Sequence, residues 1–327
     1  MAPIDHCVSP MTSAATIACH SGSFHADDTV GVAVLMSLNP DAALVRTRDR
    51  DRVSRADFAV DVGGQWDPSC GRFDHHQRGF DGRRPDGTLY ASAGLVWSAH
   101  GRDFVAAIAG STTDAATVAQ VADEIDDEFV IHVDRADTGE SHGAPGSFGY
   151  SAMVAQFNAT WLEGGLEGER ADAEHASFLA IVRFTQQLLQ RMVHRKLARA
   201  AAVSRVRASR RLEGGRLLVL DQGMPWQETV LREMPDVLIV LFPDDGTNHW
   251  VIRTVPIESG SFDAKLDLPA AWAGLRDQEL AAASGVADAR FVHNNLFIGG
   301  AYSFEAALAM ARAALEVPQA AAAGQKA

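Results

Sequence analysis

In the first 140 residues, short apolar runs repeatedly stop on a histidine or an aspartate. "TIAC" leads into His20, "DFAVD" stops at Asp61, and "RFDHH" closes on Asp74, His75 and His76. Runs this short, bounded by glycine or proline turns, read as strands. Between them, "TVGVAVLMSLN" (29–39) reads as a buried helix stopped by Pro40. "ALVRTRD" (43–49) alternates apolar and polar residues as a strand does, and "WDPSCG" is a turn before "RFDHH". "SAGLVWSAHG" (92–101) reads as a helix with a serine N-cap and a glycine stop, and residues 114–139 as one or two helices. Strand and helix in alternation predict an α/β fold with a mostly parallel sheet. In such sheets, ligand sites lie at the carboxyl ends of the strands, where these polar residues fall.

Further along, "SHGAPGSFG" (141–149) reads as a glycine-rich loop, and residues 173–212 as one long helix or two joined ones. From Gly214 the pattern changes to "RLLVLD", "VLIVLFPD" and "WVIRTVP" as strands, with a closing helix over 303–317. The expected organisation is a parallel-sheet domain at 15–172, a basic linking helix at 173–212 and a smaller α/β domain at 213–317. Residues 1–14 read as a loose leader and 318–327 as a disordered tail. At 327 residues and 47% hydrophobic, the chain is long enough for two cores.

The polar ends form a set. His20, His25 and Asp27 lie in one predicted loop, Asp61 ends a strand, Asp74–His76 end the next, and Asp134 and Asp137 end a helix. A lone His-His pair is most often an incidental surface pair. Four such clusters at the ends of apolar elements are harder to explain that way, because a buried carboxylate is costly unless paired or metal-bound. Imidazole and carboxylate without thiolate suit Mn²⁺, Fe²⁺ or Zn²⁺, and carboxylate-rich versions admit Mg²⁺. The three cysteines show no CxxC spacing, which argues against a disulfide framework. A reducing, cytoplasmic setting is therefore expected, and no apolar run is long enough to predict a membrane helix.

Residues 175–212 contain nine Lys or Arg and no Asp or Glu. That segment carries +9 against a chain total of −13, so the remainder carries −22. Charge this segregated could face a polyanion, or it could pack against acidic surfaces of its own chain or of a second subunit.

"FDHHQ" carries the Asp-His-His signature of the DHH phosphoesterase superfamily. "HSGSFHADD", "VRTRD", "DVGGQWDP", "RFDHHQRGF" and "SAGLVW" together resemble the Myg family, the melanocyte-proliferating-gene proteins. "SFDAKLDLPAAWAGLRDQEL" and "FVHNNLFIGG" extend the resemblance, which covers roughly residues 15–315. It implies a metal-dependent phosphoesterase with two divalent ions, acting as a 3′→5′ exonuclease on RNA or short oligonucleotides. By resemblance, His20 and His25 would hold one ion. Asp27 and His75, with Asp134 or Asp137, would hold the other, and Asp61 would bridge them. Asp74 would orient His75, while His76 and Arg78 would face the phosphate. His293, Gly299 and Gly300 would contact substrate. The first motif of the wider DHH superfamily has an aspartate where this chain has His25, in a loop one residue longer, which lowers the negative charge and favours Mn²⁺ over Mg²⁺. A phosphoesterase for a small nucleotide or phosphoanhydride and a non-catalytic binding protein are the competing readings, and a homodimer is an open possibility.

Overall fold

The computed structural model describes residues 14–140, 149–163, 167–244, 246–261 and 263–316. The glycine-rich stretch up to 148, the leader up to 13 and the tail lie outside the described residues. The chain divides into two compact units, Met1–Leu197 and Ala198–Ala327.

The first unit begins with β1 (Thr16–Cys19), α1 (Ala26–Leu38), β2 (Ala43–Arg46), α2 (Arg50–Arg55) and β3 (Phe58–Val60). Then come β4 (Trp66–Asp67) and β5 (Arg72–Phe73), followed by α3 (Ser92–Ala109), α4 (Ala115–Ile125), α5 (Ile131–Asp137), α6 (Tyr150–Ala155) and α7 (Glu167–Ala208). The strands form one sheet in the order β2-β1-β3-β5-β4. It is parallel except for β4, which pairs antiparallel with β5 inside the turn expected at "WDPSCG". Neighbouring parallel strands end together, so His20, Asp61 and Asp74, each one residue past a strand, arrive at one sheet edge.

Helix α1 is apolar on all sides from Val30 to Leu35, and every residue from Ala26 to Leu35 is buried, as expected for a helix enclosed by sheet and neighbours. It starts three residues earlier than expected. His25 is its N-cap, in a reciprocal capping box with Asp28. Asp27 and Asp28 therefore belong to the first turn of a helix rather than to a loop.

Helix α3 also departs from expectation. Its N-cap is Ala91 instead of Ser92, and it runs through Gly101 to stop at Gly110. Alanine has no side-chain acceptor for the free amides of the first turn, and carboxylates from other helices fill that role. Segments α4 and α5 are joined by one π-helical turn, Asp126–Val130. Such a turn inserts a residue into the helix and rotates the residues after it, and it is common beside functional sites.

The second unit contains the last turns of α7, then β6 (Arg210–Leu212), β7 (Leu217–Val219), α8 (Gln227–Glu233), β8 (Ile239–Pro243) and β9 (Trp250–Thr254). It closes with α9 (Asp277–Ser284), β10 (Ala289–Val292), β11 (Ile298–Ala301) and α10 (Phe304–Glu316). Its six-stranded sheet, β10-β11-β9-β8-β7-β6, is mixed, with only β7 and β8 parallel. One face packs on α10 and α9 through Leu241, Ile252 and Met310; the other packs on α8 through Leu218, Val230 and Val240. The whole is an α/β protein of two units. No described helix is long and apolar enough to cross a membrane.

Candidate metal centre

Asp61 is the hub. It follows β3 with φ of 55°, a left-handed conformation uncommon outside glycine, asparagine and aspartate, and it is buried. Strain of this kind costs about 1–3 kcal/mol and collects at functional sites. The turn continues through Gly63 and Gly64, at φ 104° and 66°. Its result is a carboxylate whose two oxygens face different partners. Oδ2 lies 3.3 Å from His20 Nε2. Oδ1 lies 3.5 Å from His75 Nε2 and 3.1 Å from His76 Nδ1, and accepts from Ser92 Oγ at 3.2 Å.

On one side of Asp61, donor atoms of His20 and His25 converge with it to within 4.8 Å of one another. On the other side, Asp27, His75 and Asp137 converge to the same limit. His75 Nε2 lies 3.2 Å from Asp137 Oδ2 and 3.9 Å from Asp27 Oδ2. Asp28 was not expected in the site, although it stands beside Asp27 in "HADD". Its Oδ2 is 2.9 Å from His20 Nε2.

Asp27 and Asp134 are held differently from the histidines. Asp27 accepts from the amides of Ser92 (3.0 Å) and Ala93 (2.5 Å), and Asp134 from that of Gly94 (2.9 Å). Three amides at the start of α3 are thus satisfied by acids from α1 and α5, where the helix dipole also favours negative charge. Asp134 is further bound by Arg84, through Nε at 3.0 Å and Nη2 at 2.7 Å, and Arg84 also bonds Asp126 in the π turn. Among the described residues, the short contacts of the Asp134 carboxylate are therefore with Arg84 and α3, whereas Asp137 faces His75. Spacing along the chain could not separate the two. Gly94 admits this arrangement because a Cβ there would meet the Asp134 carboxylate, the Arg84 guanidinium and the Tyr90 ring.

Asp74 orients His76 rather than His75. Its Oδ1 accepts from His76 Nδ1 at 2.9 Å and from the His76 amide at 3.0 Å, and its Oδ2 from the Gly64 amide at 2.5 Å. The reason is local: the chain turns after Phe73, bringing the i+2 amide back to the carboxylate, a common aspartate turn. The His76 side chain is 62% exposed with its Nδ1 committed, which leaves Nε2 for solvent or substrate. Arg78 is exposed and has no partner among the described residues. His293 is exposed between β10 and β11, with its ring 4.8 Å from that of Phe297. Gly299 and Gly300 are buried in β11, which is paired on both edges, so their backbone is engaged in the sheet instead of lying open to a phosphate.

The protonation energetics suit a cation. Burial pushes Asp27 well above the ordinary carboxylate range, and repulsion from Asp61 and Asp137 adds to it. Burial likewise raises Asp28, with His20 opposing. Burial works to raise Asp61 too, but His20, His75 and His76 overcome it and hold that carboxyl far below its usual range. Burial opposes the charged form of His20 and His75; the neighbouring carboxylates prevail and raise both to about 10. Hydrogen bonds to Asp61 and Asp74 raise His76 to about 10.

Two observations indicate that the residues fit divalent ions. His75 Nε2 is buried among the carboxylates of Asp27, Asp61 and Asp137 without completing a hydrogen bond, and Asp28 Oδ2 is likewise incomplete. The carboxylates of this cluster repel one another, and a cation would offset that repulsion. Neither Cys19 nor Cys70 belongs to these groups, so among the described residues the donors are nitrogen and oxygen only.

These shifts set a pH dependence. Histidines raised above the ordinary 6.5 stabilise the metal-free fold fully below that value, and their contribution is lost as pH rises through about 10. The Tm of chelator-treated protein should therefore fall across that window. Ions need neutral imidazoles, so the Tm gain from added Mn²⁺ should grow between about pH 6 and about pH 8.5. A gain that shrinks with rising pH would contradict the assignment of these histidines.

Fold and site together define an α/β protein with a histidine–aspartate cluster of metal-binding type at the edge of a parallel sheet. The family model for MYG1 exonucleases, described as Uncharacterised protein family (UPF0160), matches residues 16–315, and the chain belongs to this family. The chain is 34% identical to human MYG1 exonuclease over 325 residues, spanning 91% of this chain and 85% of the human protein. It is 33% identical to a MYG1 protein of Caenorhabditis elegans over 330 residues, 92% and 95% of the two chains. The MYG1 protein of Saccharomyces cerevisiae is 32% identical over 326 residues, 91% and 95%.

Proposed function

We propose that this protein is a metal-dependent phosphodiesterase of the DHH type that works as an exonuclease on RNA or short oligonucleotides, in the 3′→5′ direction. The observation that carries the reading is Asp61, whose two oxygens join the His20–His25 group to the Asp27–His75–Asp137 group. Support comes from human and mouse relatives that bear the name MYG1 exonuclease.

His20, His25 and Asp61 would hold one divalent ion, and Asp27, His75, Asp137 and Asp61 the other, with Mn²⁺ favoured over Mg²⁺ by the imidazole share. When bound, such ions polarise phosphoryl oxygens and lower the pKa of coordinated water. The chain's own residues set the rest of the chemistry. Asp61 fixes the spacing of the two groups. Asp74 and Asp61 hold His76 by Nδ1 and keep it cationic, so that Nε2–H can donate to a non-bridging oxygen or protonate the leaving alkoxide. Asp74→Asn should weaken that charge, lowering the His76 pKa and moving the alkaline limb of the pH–rate profile to lower pH. An unmoved limb would show that Asp74 has a different role.

The basic helix does not add to this reading. Lys196 pairs with Glu124 and Glu128, Arg199 with Glu228, Arg205 with Asp221 and Arg207 with Glu233, so four of the nine charges in 175–212 are met by the chain's own acids among the described residues. The deciding assay uses 3′- and 5′-labelled RNA and DNA oligomers with Mn²⁺, Mg²⁺ or chelator. Stepwise loss of mononucleotides from the 3′ end, abolished by chelator, is the expected result. Hydrolysis confined to small nucleotides or phosphoanhydrides would replace the nuclease reading with the small-molecule one.

A further inference from the structure

A cavity of about 520 Å³ opens beside the His20 end of the cluster, within the first unit. Arg48, Arg50 and Arg72 line it, with Gly63 and Gly64 and no carboxylate. In a chain of net charge −13, three arginines around one hollow without an acid is an uneven distribution. None of the three forms an ion pair among the described residues, whereas Arg84, Arg135, Arg205, Arg207, Arg290 and Arg312 all do. The adjacent Asp49 is committed elsewhere, capping α2 through the Arg52 amide at 2.9 Å.

Two of the guanidiniums are positioned without being neutralised. Arg72 is anchored by the carbonyls of Ser54 (3.1 Å) and Asp57 (3.4 Å), and Arg48 by that of Ser21 (3.2 Å). Each has five N–H donors, so most remain for a ligand, and a planar fork suits phosphate oxygens. A Cβ built on Gly64 would meet nothing within 4 Å, so the space above that backbone is open. Two of the lining residues reach the candidate centre. Arg48 Nη2 lies 3.2 Å from His20 Nδ1, and the Gly64 amide donates to Asp74.

We infer that this cavity is a second phosphate subsite, which holds a backbone phosphate of the nucleic-acid substrate next to the phosphodiester at the Asp61 cluster. The inference rests on the nuclease reading and deepens it. A mononucleotide has one phosphate, which the cluster itself would take. An additional anion site beside the cluster serves a substrate with more than one phosphate, which on the nuclease reading is a strand. Contacts of this kind position a strand and carry no base preference.

Arg50 supplies the test, because it is exposed and has no partner among the described residues, so its replacement leaves the packing intact. Full-length wild type, Arg50→Ala, Arg50→Lys and Arg50→Glu are compared on fluorescein-labelled octamers, with binding by anisotropy in chelator and turnover in Mn²⁺. Melting temperatures confirm that each variant is folded. Arg50→Glu should weaken binding about tenfold on every base composition, and Arg50→Ala should reduce the slope of log K against log salt by about 0.7. The loss in kcat/KM should be carried by KM, and Arg50→Lys should recover most of it. If wild type trims octamers and Arg50→Glu binds them with unchanged affinity and salt slope, the subsite is wrong while the nuclease reading stands. If wild type neither binds nor trims oligonucleotides, both fall together.

Discussion

Replacing Asp61 with asparagine should lower phosphodiester hydrolysis by about 10³-fold or more, the scale seen when one stabilising group at a reacting centre is removed. Among the described residues, Asp61 is the only side chain that reaches His20, His75, His76 and Ser92 at once, at 3.1–3.5 Å. Its negative charge helps keep all three histidines in place and supplies the link between the two donor groups. Asparagine keeps the shape, and it tolerates the left-handed backbone at this position (φ 55°) better than other residues. The fold should therefore persist while the activity is lost. Steady-state kinetics on a labelled oligonucleotide, with circular dichroism as the folding control, make the measurement. Activity within tenfold of wild type would remove Asp61 from the centre of the chemistry.

The second large effect concerns stability. Arg84 is 6% exposed, and it ties Asp134 in α5 and Asp126 in the π turn to the start of α3. Breaking a buried pair by removing one partner costs about 3–5 kcal/mol, because the other charge is left uncompensated. Arg84→Met should accordingly lower Tm by roughly 10 °C, at about 2–4 °C per kcal/mol for a unit of this size. Burial already pushes the Asp134 carboxyl up to about 7, with Arg84 pulling against it, and removing the arginine leaves burial unopposed. The double variant Arg84→Met/Asp134→Leu should recover part of the loss, since neither charge then remains unpaired. Because α5 also presents Asp137 to His75, the single variant should weaken Mn²⁺ binding as well. A Tm within about 2 °C of wild type would show that this network contributes little.

The features legible in the chain were those that short-range periodicity determines. His20, Asp61 and the Asp74–His76 run were legible because each closes an apolar run, and parallel pairing brings the ends of such runs together. The sheet itself followed from the same alternation, apart from the two-residue β4. Long-range partners left no local trace. Arg84 lies in "DGRRPDG", which looks like any polar turn, and acquires its role only through Asp134, fifty positions away. Ser92 resembled an N-cap because it precedes an apolar helix. The amides it was expected to cap are instead met by Asp27 and Asp134, and its hydroxyl goes to Asp61. Asp134 and Asp137 sit three apart on one helix, and the orientation of that helix is set by the π turn before it, which no spacing rule reveals. The basic run at 175–212 was visible, whereas the acids that meet it on α4, α8 and the π turn were not.

Metal stoichiometry tests the two-group centre most directly. Metal-free protein is equilibrated with MnCl₂, dialysed, and its manganese counted per chain, for wild type and for Asp61→Asn. Two ions per wild-type chain and fewer than one in Asp61→Asn is the expected result. No bound manganese in wild type, or two ions retained after Asp61 is changed, would contradict a centre built around that carboxylate.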